Sequence, residues 1–265
     1  MDGPDSPTFS LIFPTYNPGL ILARTLTEVE KFLQSAEDDW EVLFVCDGCT
    51  DGTSERIGEW NRSRRLPIRV LSYAPNQGKG FAVRHGLRTA RGAWRIFMDV
   101  DLAYSFDELL HVASELRSGA DIAIASRTHP ASLVTLPTKL QGYVYRRHLQ
   151  SLAFSTLVRI LLPITQRDTQ AGLKGLSAAA VRKIVPHLTC NGFGFDCELL
   201  TACARLGIRV AEVPVCVRYE DRESTTNFVA IRDMIGDLWR IRRAWQQVPP
   251  TPASVPAEPS LRQAA

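Results

Sequence analysis

Apolar positions fall in short runs separated by polar, glycine-rich breaks, and between the runs they recur at helical spacing. Phe9 to Phe13 reads as a first strand, broken by Pro14-Thr15-Tyr16-Asn17-Pro18-Gly19 and followed by a helix over Leu20 to Leu33. Trp40 to Cys46 reads as a second strand, and the loop Asp47 to Thr53 runs into a helix over Ser54 to Trp60. Ile68 to Tyr73 is a third strand, after which Asn76-Gln77-Gly78-Lys79-Gly80 opens a helix from Phe81 to Ala90. The apolar run Trp94 to Met98 is a fourth strand, Phe106 to Leu116 a helix and Asp121 to Ser126 a fifth strand. This alternation predicts an α/β fold: a mostly parallel sheet flanked by helices, with right-handed crossovers. Ligands of such sheets bind beyond the carboxyl ends of the strands. Every unusual loop of the first half falls at such an end.

The second half is less regular. Gln141 to Leu162 reads as a long helix, and Asp168-Thr169-Gln170-Ala171-Gly172-Leu173-Lys174 as a loop entering a short strand. Ala178 to Val185 is a helix closed by Pro186, and Phe195-Asp196-Cys197-Glu198-Leu199-Leu200 opens another that ends near Gly207. Val210 to Tyr219 is a strand whose Pro214 makes it an edge strand or a bulged one. Phe228 to Gln246 is a last helix, and the Pro- and Ala-rich stretch Val248 to Ala265 reads as a disordered tail. The expected division is one α/β unit over 1–227, an amphipathic helix over 228–247 and a tail over 248–265.

Composition narrows the classes. A net charge of +3 over 265 residues is too small to argue for a nucleic-acid partner. The six cysteines, Cys46, Cys49, Cys190, Cys197, Cys203 and Cys216, form no zinc or thioredoxin-like pattern and read as reduced, structural thiols, which favours a cytoplasmic location. The start, Met1 to Ser10, is polar and Pro-rich, unlike a signal peptide. No apolar run reaches the ~20 residues of a spanning helix.

The chemistry gathers at strand ends. Asp99 and Asp101, one residue apart after the fourth strand, would point the same way on an extended chain and suit Mg²⁺ or Mn²⁺ holding a diphosphate. The plainer alternative is a strand-to-loop turn, with Asp101 or Ser105 capping the next helix. Asp47 favours a nucleobase or ribose contact over an Asx-turn, with the neighbouring glycines letting backbone approach the ligand. Asp51 reads as a helix cap instead. Lys79, flanked by Gly78 and Gly80, is no Walker lysine, and its alternatives are contact with the diphosphate, support of the metal carboxylates, or plain solvation.

Seven segments occur in order: Pro14-Thr15-Tyr16-Asn17, Asp47 to Thr53, Asn76 to Gly80, Met98-Asp99-Val100-Asp101, Ser126-Arg127, Asp168 to Lys174 and Phe195 to Leu200. Over residues 8–227 the chain resembles family-two glycosyltransferases of the GT-A fold, a Rossmann-like architecture, and within them the polyprenyl-phosphate sugar synthases, the dolichyl-phosphate glucosyltransferase branch above all. The resemblance implies inverting transfer from a nucleotide-diphospho-sugar, with UDP-glucose following from the branch. Asp99 and Asp101 would hold the metal on the diphosphate. Pro14, Tyr16 and Asp47 would line base and ribose, and Arg127 would bind a donor or acceptor phosphate. Asp196 and Asp168 compete for the base position, with Glu198 as a partner. The sequence departs from the family where an acidic residue commonly follows Tyr-Asn (Pro18 here), where Cys46 precedes Asp47, and at Arg222-Glu223-Ser224-Thr225, which lacks a lysine.

The acceptor divides the readings. A polyprenyl phosphate would call for peripheral membrane contact, and two helices offer it: Gln141 to Leu162, and the last helix, with Phe228, Ile231, Ile235, Leu238, Trp239 and Trp245 among Arg232, Arg240, Arg242 and Arg243. The same stripes would equally pack on the domain or on a second subunit. A small-molecule acceptor, or nucleotide-sugar binding without catalysis, are the other readings.

Overall fold

The computed structural model describes residues 7–135, 154–218 and 228–248. A seven-stranded sheet in the order β3-β2-β1-β4-β7-β5-β8 forms its centre. Its strands are β1 (Phe9–Thr15), β2 (Trp40–Asp47), β3 (Ile68–Tyr73), β4 (Trp94–Met98), β5 (Ile122–Ser126), β7 (Leu173–Ser177) and β8 (Val210–Pro214). All neighbours pair in parallel except β7, which runs antiparallel between β4 and β5. A short parallel pair, β6 (Leu133–Thr135) with β9 (Cys216–Arg218), stands apart.

The helices are α1 (Ile21–Ser35), α2 (Thr53–Arg64), α3 (Lys79–Thr89), α4 (Phe106–Arg117), α5 (154–161), α6 (Ala178–Ile184), α7 (Phe195–Arg205) and α8 (Phe228–Gln246). β1, β2 and β5 are buried on both faces of the sheet, as strands covered by helices require, while the edge strands β3 and β8 are half-buried. One apolar layer joins Phe13, Phe44, Leu22 and Val29 on the α1 side, and the other joins Ile12, Leu43, Val83, Phe97 and Phe195 on the α3 and α7 side.

Several expectations shift by a few residues. β1 runs on through Pro14, because β4 pairs only as far as Ile12, so Pro14 needs no donor on that side while its β2 side keeps register with Val45. α2 reaches Arg64, four residues beyond the expected end, since it buries only Thr53 and Ile57 and shows little apolar period. The strand expected over Val210 to Tyr219 is two: β8 ends at Pro214 on the sheet edge, and β9 joins the small pair. Residues 141–153 of the expected long helix, the Arg222 to Thr225 segment and the tail from 249 lie outside the described residues.

α8 keeps the bounds read from sequence. Leu238, Ile241 and Trp245 pack inward with the core that holds α7, while Trp239 is 51% exposed. Packing thus accounts for Leu238 and Trp245 of the amphipathic stripe, and Trp239 faces out.

Phe44 is fully buried in β2 and stacks on Phe13 with ring centroids 5.0 Å apart. Phe44→Ala is expected to cost about 3–5 kcal/mol through lost burial and a residual cavity. Urea unfolding of the two proteins measures it, and a loss under ~1 kcal/mol would show that this layer is not close-packed.

Candidate active site

The site sits on the rim formed by the carboxyl ends of β1, β2, β4 and β5. Because β7 is antiparallel, its entry lies on the same rim: Met98, the last residue of β4, pairs with Leu173, the first of β7. One inverted strand thus brings the Asp168 to Gly172 loop beside the acidic pair.

Asp99 and Asp101 lie in a turn and not on an extended chain, which replaces the alternation argument made from sequence. The Asp99 amide donates to Gly172 O at 3.1 Å, and the Leu102 amide, at φ 54°, donates back to Asp99 O. The Asp101 carboxylate accepts from the Ala103 amide at 3.1 Å. Capping of α4 falls instead to Ser105, whose amide donates to Glu108 Oε2 at 2.8 Å. Gly172 lies directly against this carboxylate of Asp99, since a Cβ there would sit 2.1 Å from Asp99 Oδ2 and push the side chain aside.

Lys79, the first residue of α3, places its Nζ 2.6 Å from Asp99 Oδ1. Burial pushes the Lys79 ammonium down, but Asp99, Asp196 and Asp101 outweigh it and hold it above its ordinary value. All three carboxylates therefore act on one cation. The flanking glycines serve the protein and not a phosphate. Cβ atoms at Gly78 and Gly80 would each lie 2.5 Å from a carbonyl of the facing loop, Asn191 O and Cys190 O. The Gly80 and Phe81 amides donate to Asn191 O at 2.7 and 3.3 Å, so these two amides at the start of α3 are taken by the protein. Arg84 reinforces the junction by donating to Cys190 O at 2.6 Å and to the Asn191 side chain.

Asp196, in the first turn of α7, is buried and accepts from Lys174 Nζ at 2.6 Å. Lys174, on β7, is fully buried and also donates to Ala171 O at 2.6 Å. Sequence reasoning quoted this lysine within a motif but gave it no role. Glu198 is committed to the loop before α7, accepting from the Thr189 and Cys190 amides at 2.9 and 2.7 Å.

Asp47 accepts from the Gln77 and Gly78 amides at 2.6 and 2.9 Å, so both carboxylate oxygens brace the loop into α3. Gly48, at φ 66°, packs against Asn76 and not against open space, since a Cβ would lie 2.3 Å from Asn76 N. Pro14 and Tyr16 flank the end of β1, beside β2, with Tyr16 56% exposed. Asn17 ties the two loops together, accepting from the Thr50 amide at 2.9 Å. Asp51 accepts from the Thr53 amide at 3.2 Å in an Asx-turn one residue before the helix, while the N-cap position itself is Gly52 and not Asp51.

Arg127 and Asp168 meet each other. The Arg127 backbone amide, Nε and Nη2 donate to the Asp168 carboxylate at 2.9, 2.7 and 2.8 Å. Burial raises the Asp168 carboxyl, but the Arg127 hydrogen bonds and charge prevail and hold it below its ordinary value of 3.8. Taking up a proton would cost Asp168 this pairing with Arg127. Burial, first among the causes, pushes the Cys46, Cys190 and Cys197 thiols up to about 12, which disfavours their thiolates.

Among the described residues, no group of three or more His, Cys, Asp or Glu side chains is placed to hold a metal alone. Two hard-oxygen carboxylates fit a cation that takes its remaining ligands from substrate phosphates and water, the usual habit of Mg²⁺. The acidic, lysine-balanced rim lies at the carboxyl ends of the sheet, where ligands of α/β folds bind. The sequence pattern of Glycosyl transferase family 2 matches residues 10–184, and the chain belongs to that family. The dolichyl-phosphate beta-glucosyltransferase of Saccharomyces cerevisiae is 30% identical over 252 residues, covering 89% of this chain and 74% of the relative. Its counterpart in Drosophila melanogaster is 32% identical over 252 residues, covering 89% and 76%. The glucosyl-3-phosphoglycerate synthase of Mycobacterium tuberculosis, crystallised with Mn²⁺ and UDP-glucose, superposes with a TM-score of 0.59 at 18% identity, covering 89% of this chain and 79% of that one. At that identity the likeness is one of fold, the GT-A fold.

Asp168→Asn is expected to destabilise the protein by about 1–3 kcal/mol at neutral pH. Because the folded Asp168 carboxyl lies below 3.8, its contribution is complete above about pH 4 and is lost as pH falls through the folded value. Urea unfolding of both proteins across pH 2.5–7 should show the gap closing at the acid end. A gap that stays constant would contradict an ionic pair.

Proposed function

We propose that this chain transfers glucose, with inversion, from UDP-glucose to the phosphate of a polyprenyl phosphate. The observation that carries the reading is the gathering of Asp99, Asp101, Lys79 and the Asp196–Lys174 pair on one rim of a glycosyl transferase family 2 fold. The names of the relatives, dolichyl-phosphate beta-glucosyltransferases, support the sugar and the acceptor.

Asp99 and Asp101 hold Mg²⁺ or Mn²⁺ against the diphosphate. When bound, the cation supplies a positive charge for the leaving nucleoside diphosphate. Pro14 and Tyr16 line the base and ribose, and Asp47 meets them with whatever its two amide bonds leave. Arg127 works through Asp168, steadying the loop whose Gly172 abuts Asp99. Asp196 stands at the acceptor end, oriented by Lys174. A phosphate monoester is already ionised near neutral pH and needs placement more than deprotonation, whereas a hydroxyl acceptor would need Asp196 as base.

No described helix is long and apolar enough to cross a membrane. Contact with a lipid-borne acceptor is proposed to be peripheral, with Trp239 and Arg243 on the outward face of α8 meeting the interface.

The direct test is transfer of labelled glucose from UDP-glucose to dolichyl phosphate in detergent with Mn²⁺. A glucosylated lipid is expected; donor hydrolysis alone, or transfer only to water-soluble acceptors, would contradict the proposal. Asp99→Ala should abolish metal-dependent donor binding without loss of fold, since its side chain is 35% exposed. Asp196→Asn, which leaves the buried Lys174 without its counter-ion and is therefore compared on protein shown to be folded by circular dichroism, should cut kcat about 10²-fold or more while donor Kd stays near that of the parent. A fall in donor affinity instead would place Asp196 at the donor.

A further inference from the structure

We propose that Lys79 occupies the metal carboxylate Asp99 in the donor-free protein and releases it when a diphosphate arrives, so that cation and nucleotide load together. The proposal rests on Asp99 and Asp101 being the cation's ligands.

The rim carries two lysine–carboxylate pairs of equal length, Lys79–Asp99 and Lys174–Asp196, each 2.6 Å. Their surroundings differ. The Lys174 and Asp196 side chains are 0% and 5% exposed, and Lys174 is held a second time by Ala171 O. That lysine has no room to exchange partners. The Lys79 and Asp99 side chains are 21% and 35% exposed, so a ligand arriving from solvent reaches them.

The backbone around Lys79 is fixed on both sides. The Gly78 amide is bound by Asp47, and the Gly80 and Phe81 amides by Asn191 O. With these amides taken, the lysine side chain is the cationic group that α3 offers a phosphate, and it is also the part able to move. A divalent ion approaching Asp99 Oδ1 alone would have to displace the ammonium and then lie beside it, two like charges close together. A diphosphate removes both obstacles. It gives the ammonium an anionic partner and gives the cation the oxygens that two carboxylates cannot supply.

By linkage, UDP then strengthens Mn²⁺ binding by the factor by which Mn²⁺ strengthens UDP binding. Any bridging metal gives some coupling of this kind. What Lys79 adds is suppression of cation binding in the nucleotide-free protein, and that part is separately measurable.

Free Mn²⁺ is titrated by electron paramagnetic resonance against the full chain, with and without UDP. The parent is expected to bind Mn²⁺ weakly alone and at least tenfold more tightly with UDP. Lys79→Met without UDP should bind Mn²⁺ about tenfold more tightly than the parent, and Lys79→Arg, which keeps the charge, should behave as the parent does. Adding Asp99→Asn to Lys79→Met should remove the gain. Should the Met variant fail to fold by circular dichroism, Lys79→Gln makes the same comparison. Unchanged or weaker Mn²⁺ binding by the charge-removed variant, with UDP-linked binding intact in the parent, overturns the proposal alone. No Mn²⁺ binding by any protein, even with UDP, overturns the metal assignment and the proposal with it.

Discussion

The buried ammonium of Lys174 constrains the whole site. A fully desolvated charge is tolerated only with a close counter-ion and further hydrogen bonds, and here Asp196 and Ala171 O provide them at 2.6 Å each. Those two partners come from different parts of the chain, the start of α7 and the loop before β7. Satisfying one lysine therefore locks α7 to the antiparallel strand. Replacing such a pair with apolar residues often leaves stability unchanged or improved, so stability alone gives no reason to keep it. Its effect is positional: Asp196 is held at a set place beside the acidic turn.

The second constraint is steric. Gly78 and Gly80 let the start of α3 lie directly on the Cys190–Asn191 segment, and Gly172 lets the β7 loop lie on Asp99. Glu198 and Asp47 hold the same loops from the other side by accepting backbone amides. The rim is thus a ring of mutually braced loops in which few side chains keep freedom. Lys79 is one that does, and its partner Asp99 is the carboxylate a cation would need. Fixed scaffold and single exchangeable pair together explain how one face could stay ready for a dianionic ligand without collapsing onto itself.

Much of this was readable from sequence because the first half alternates strand and helix periods cleanly, and because its unusual loops fall at strand ends. Asp99, Asp101, Lys79, Arg127, Asp168 and Asp196 do gather on one rim. What stayed hidden depends on contacts between distant segments. β7 shows no alternation, so nothing in Leu173-Lys174-Gly175-Leu176-Ser177 announces an antiparallel strand wedged between two parallel ones. A lysine in such a strand reads as solvated, while its actual exposure is nil. The glycines beside Lys79 lie against the 190–191 loop, a contact that spans more than a hundred positions of the chain. The pairing of Arg127 with Asp168 joins residues 41 positions apart and could be found only by placing both loops.

The account stands most directly on where the pyrophosphate and its cation lie. Crystals grown with UDP-glucose and Mn²⁺, measured at the manganese absorption edge, locate the ion without reference to the protein's scattering. The account predicts one anomalous peak within coordination distance of Asp99 and Asp101, bridging the diphosphate, with Lys79 turned from Asp99 to a phosphate oxygen. A diphosphate bound away from that turn, with Lys79 still paired to Asp99 and no manganese beside it, would contradict it.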